Sequence, residues 1–141
     1  MFLRHPLLPA FGIALLAFAI TSCGSTTIPN AGRVLLSILV TPATADAQNS
    51  PSGQVVFTAT GTFSVAPSPA PVTFAAPYAG GFVVAPDSSN QVIASIVTTG
   101  AGTATVQCVA GMSGTVDVGA TASSNNGTST TVSGLAQITC P

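Results

Sequence analysis

The side chains able to do chemistry in this 141-residue chain are few and far apart. Two arginines (Arg4, Arg33), three aspartates (Asp46, Asp87, Asp117), one histidine (His5), one tyrosine (Tyr78) and three cysteines (Cys23, Cys108, Cys140) make up the set. Lysine, glutamate and tryptophan are absent. General acid–base catalysis needs a positioned His, Glu, Asp or Lys, and a serine nucleophile needs a base beside it. Two-carboxylate chemistry needs its acids within about 10 Å of each other, yet the aspartates fall in three different segments. The expectation is a protein that is not an enzyme. Asp87-Ser88-Ser89-Asn90 is the one oxygen-rich cluster near an acid. Calcium accepts such ligands, but Asp and Asn also bond their own backbone in turns, and a turn is the preferred reading. Tyr78 and Phe82 flank Ala79-Gly80-Gly81 and are the candidate ligand contacts, by stacking on a sugar. For Tyr78 a partly buried loop anchor is the preferred reading. Asn126-Gly127-Thr128 fits a glycosylation acceptor and also a hairpin turn; the turn is preferred.

Composition narrows the class before any fold is drawn. Charged residues are 4% and hydrophobic ones 47%, with a mean hydropathy of +0.65. Disorder by composition requires the opposite balance. Two arginines cannot neutralise a phosphate backbone, so nucleic acid is not an expected partner. The length suits one domain.

The elements that must position these residues begin with a leader. Met1–Pro6 carries Arg4, and Leu7–Ile20 is an apolar run too short for a comfortable span, which needs about 20 residues. This is the order of a secretory signal, a helix cleaved from the mature protein. Ile20-Thr21-Ser22-Cys23 resembles the lipobox of bacterial lipoprotein signal peptides, with an aliphatic residue three before the cysteine and small residues between. The resemblance implies a signal over residues 1–22, diacylglycerol on the Cys23 thiol, and a membrane partner reached through acyl chains. Multiple chains hold where one binds marginally. Gly24 implies outer-membrane sorting in the cell envelope. With Cys23 acylated, Cys108 and Cys140 are left as a disulfide pair in an oxidising compartment. No thiol or imidazole then remains for zinc, and neither a metal nor a cofactor is expected. Residues 23–33 read as a flexible tether.

Residues 34–141 read as strands. In Gln54–Phe63, positions 55, 57, 59 and 63 are apolar while 58, 60 and 62 are threonine, a period of two that turns one face inward. The same parity puts Ala104, Val106 and Cys108 inward in Thr103–Cys108. It does likewise for Val116, Val118, Ala120 and Ala122 in Thr115–Ala122, with Asp117 outward. In Thr130–Cys140, Val132, Ala136, Ile138 and Cys140 share the inward parity. Shorter candidates are Val34–Val40, Val72–Phe74, Gly81–Ala85 and Gln91–Thr98. Seven or eight short strands with Gly and Pro punctuation predict an all-β sandwich.

Four segments, in order, resemble the bacterial Ig-like domains of group 2: Val40-Thr41-Pro42-Ala43-Thr44-Ala45, Phe57–Phe63, Gly102–Val106 and Val132–Thr139. The resemblance implies an Ig-like β-sandwich and a structural or adhesive role on a bacterial surface. That family's middle strand carries a tryptophan, for which Phe74 is the expected substitute. Met112–Val118 can also be read as a closing strand, which leaves two assignments for the last two strands. The functional expectation is a lipid-anchored envelope protein with a non-catalytic adhesive module. The alternative is a carbohydrate- or small-ligand-binding envelope lipoprotein, with an envelope protein or glycan as partner.

Overall fold

The computed structural model describes residues 32–125 and 130–141. The expected signal helix, Cys23 with its lipobox, most of the tether and the Asn126-Gly127-Thr128 turn lie outside the described residues. The rest forms two packed sheets. One holds β1 (Leu35–Thr41), β3 (Gln54–Phe63), β7 (Thr103–Cys108) and β6 (Ala94–Gly100), side by side in that order, with the short β4 (Ala70–Pro71) also pairing β3. The other runs β2 (Thr44–Asp46), β9 (Thr131–Cys140), β8 (Gly114–Ser123) and β5 (Gly80–Val84). The order β1-β3-β7-β6 facing β9-β8-β5 is that of the ABED and CFG sheets of a constant-type immunoglobulin sandwich, and β2 adds a further edge strand beside β9. Pro42 lacks an N–H and interrupts the pairing after β1; the chain then crosses over and β2 pairs in parallel with β9.

Period-two alternation places the core. Val55, Phe57, Ala59 and Phe63 of β3 are buried against Val116, Val118, Ala120 and Ala122 of β8 and Ala136, Ile138 and Cys140 of β9. Threonines dominate the outer face of β3, which gives each strand one apolar and one hydroxylated side. Across the two sheets, β1 and β9 approach closely. A Cβ on Gly134 would lie 2.4 Å from the Ile38 carbonyl oxygen, so only glycine permits this approach. At the β6–β7 hairpin, Gly102 takes φ +73°, and its carbonyl accepts from Ala59 N–H at 2.8 Å.

Four expectations are corrected. Val72–Phe74 is not a strand: the paired positions with β3 end at Pro71, a last bond runs from Val72 N–H to the Ala59 carbonyl at 3.0 Å, and Phe74 then turns at φ 52°. Phe74 is not the core anchor: it is half-buried at φ 52°, whereas Phe57 on β3 is wholly buried. The Gln91–Thr98 strand begins later, at Ala94, since the segment before it is held by the Asp87 turn. Met112–Val118 is not the closing strand; β8 is penultimate and β9 closes the fold across ten paired positions.

Candidate functional site

The strand register gives the sandwich two ends. Leu35 lies opposite Phe63 and Ser123 opposite Thr131, and Leu35 N–H donates to the Ser124 carbonyl (2.8 Å), so these residues share one end, the tether pole. Gln54 lies opposite Gln107, Ala94 opposite Cys108 and Gly114 opposite Cys140, which defines the far pole.

Arg33 organises the tether pole. Its guanidinium carbon sits 3.5 Å from the Phe63 ring centroid, a close cation–π contact. Nε donates to the Val65 carbonyl at 3.1 Å and Nη2 donates to the Pro67 carbonyl. The Tyr78 hydroxyl donates to the Arg33 carbonyl at 2.8 Å, and the Tyr78 ring tilts against Phe63 with centroids 5.1 Å apart. Ser64 Oγ accepts from Val34 N–H and Ser68 Oγ from Phe63 N–H, tying the 64–69 loop to the strands beside it. Tyr78 is only 2% exposed. It is therefore the loop anchor of the preferred reading, and its candidacy as a ligand contact is withdrawn, since its ring is covered and its hydroxyl is engaged.

Phe82 meets a different neighbour. It is half-buried on β5 and packs edge-on against Phe74, with centroids 5.2 Å apart. The two rings line an open groove of about 530 Å³ between β5 and the β6–β7 hairpin. Thr73, Thr99 and Thr103 contribute hydroxyls, and no lining residue carries a charge. The volume suits a small ligand. Sequence reasoning paired Phe82 with Tyr78 by proximity in the chain and missed Phe74 as a groove residue.

The acids stay apart and each binds locally. Asp46 Oδ1 accepts from Gln48 N–H at 2.9 Å, capping a single 3-10 turn. Asp87 Oδ1 accepts from the Ser89 and Gln91 N–H groups at 2.9 and 2.6 Å, which is the expected turn. Asp117 Oδ1 accepts from Gln137 Nε2 at 3.0 Å across β8 and β9. Among the described residues, no three His, Cys, Asp or Glu side chains converge.

At the far pole, Cys108 of β7 and Cys140 of β9 form a disulfide with Cα atoms 5.7 Å apart. It joins the two sheets, as the shared inward parity allows. No family model, no curated protein and no solved structure matches this chain.

Proposed function

We propose that this chain is a lipid-anchored protein of the bacterial cell envelope whose folded part is a non-catalytic structural or adhesive module. The observation that carries the reading is the engagement of its charged side chains. Arg33 is held by two carbonyls and a ring, and each aspartate accepts from a neighbouring amide. Such groups are committed to holding loops in place, which suits a rigid spacer or a surface that binds by area. Ile20-Thr21-Ser22-Cys23 supports the anchor and Gly24 the outer membrane. The test is detergent-phase partition of the full chain expressed in a bacterial host, with incorporation of a labelled fatty acid. Wild type should enter the detergent phase with label on Cys23, and Cys23→Ala should accumulate uncleaved and unlabelled. Processing and anchoring of Cys23→Ala as before would refute the reading.

A second reading is favoured by the groove. Its uncharged lining, threonine hydroxyls and paired rings suit a neutral saccharide, with apolar ring faces on Phe82 and Phe74 and polar edges on the threonines. Screening the protein on a glycan array tests it. Binding that Phe82→Ala abolishes would favour a carbohydrate-binding lipoprotein over an adhesive module of the first kind.

A further inference from the structure

We propose that the tether pole docks on the lipid surface that anchors the chain, with Leu36 and Val65 against the headgroups, the positive charge of the clamped Arg33 drawing that pole to anionic lipid, and the far pole turned away. The proposal rests on the lipid-anchored reading and adds an orientation and a contact face to it. Three observations on the molecule carry it.

The first is where the chain leaves the fold. The Arg33 clamp fixes the exit of the N-terminal segment at the tether pole, beside Phe63, Val65 and Tyr78. From Cys23 to Arg33 the segment spans at most about 35 Å when fully extended, comparable to the roughly 33 Å of a ten-residue strand. The tether pole is therefore the end held nearest the anchor.

The second is the sorting of charge by sign along the sandwich. Arg33 is the only Lys or Arg among the described residues, and it stands at the tether pole. Asp46, opposite Thr139, and Asp87, before the far-pole strand Ala94–Gly100, lie toward the other end. Asp117 sits in the far half of β8, opposite Gln137. An anionic surface attracts the cationic end and repels the rest, over about 8 Å at physiological salt.

The third is that, among the described residues, exposed apolar side chains stand beside a cation only at this pole, since Val92 at the far pole, 61% exposed, has none near it. Leu36, in the bulge that opens β1, is 58% exposed, and Val65, whose carbonyl Arg33 holds, is 57% exposed. The 64–69 loop is uncharged and exposed throughout. Each contact is weak, but a short tether makes docking intramolecular, at an effective concentration in the millimolar range.

The experiment uses the full lipidated chain in vesicles of phosphatidylcholine and phosphatidylglycerol, with bromine on the lipid near the headgroup. The chain has no tryptophan, so Val65→Trp and Leu36→Trp report the tether pole and Val92→Trp reports the far pole. Circular dichroism matching wild type qualifies each variant. The expected result is at least twofold quenching of Val65→Trp and Leu36→Trp, with Val92→Trp unquenched. Equal quenching at both poles, or none at the tether pole in protein that still partitions into detergent, would overturn the docking and leave the anchor standing. Wild type that fails to partition would overturn the anchor and the docking together.

Discussion

The two ends of the sandwich are closed in opposite ways. At the far pole a covalent bond joins β7 of one sheet to β9 of the other. At the tether pole one guanidinium, laid on Phe63 and donating to two loop carbonyls, gathers the first residues of the fold with the 64–69 loop. The covalent bond acts largely by restricting the unfolded chain. The clamp acts only in the folded state, because its partners lie thirty or more residues away in sequence. The far pole should therefore set global stability, whereas the tether pole should set local opening.

The largest expected effect follows at the far pole. Replacing both cysteines by alanine should destabilise the domain by about 2–5 kcal/mol, read as a lower denaturant midpoint. A loss below about 0.5 kcal/mol would show that packing, not the covalent bond, closes that end. Arg33→Ala should cost less, about 1–3 kcal/mol from the lost charged hydrogen bonds and the cation–π contact. Its signature is local: hydrogen exchange should quicken at Val34 and Phe63 more than on β8. Uniform quickening would erase the distinction between the poles. Tyr78→Phe should cost about 1 kcal/mol, since it deletes one hydrogen bond and leaves the Arg33 carbonyl unmet. The smallest effect belongs to Asp87→Asn, which keeps an acceptor for the Ser89 and Gln91 amides and should stay within about 0.5 kcal/mol by thermal melting. A large loss there would mean the carboxylate charge itself matters.

The contrast between the poles also explains what could be read in the sequence. Alternation along β3, β7, β8 and β9 is a local property of the chain, so Phe57, Val106, Val118 and Ile138 announce their inward face by their neighbours alone. The cysteines share that parity, and their joining of the two sheets was consistent with it. The clamp left no such signal: Arg33 stands in a polar stretch, and its acceptors are carbonyls that any residues could supply. Tyr78 looked like a loop residue among glycines because its hydroxyl partner is a backbone oxygen 45 positions away. β2 was not separated from β1, since Thr-Ala-Asp has no pattern of its own and exists by pairing with β9. Phe74 was expected in the core as the substitute for the tryptophan of the family its segment resembles; the chain turns at Phe74 and sends its ring to the groove.

The clamp has a bearing on proteolysis. Beyond Cys23 the chain offers enzymes that cut after basic residues a single peptide bond, Arg33–Val34. That bond is also where cleavage would sever the sandwich from everything preceding it. Its flanking groups are occupied: the guanidinium lies on Phe63, the Arg33 carbonyl accepts from Tyr78, and Val34 N–H donates to Ser64. A trypsin-like enzyme must wait for all three to release, so shedding would follow the population of the opened pole. The arginine that marks the scissile bond is the residue that guards it.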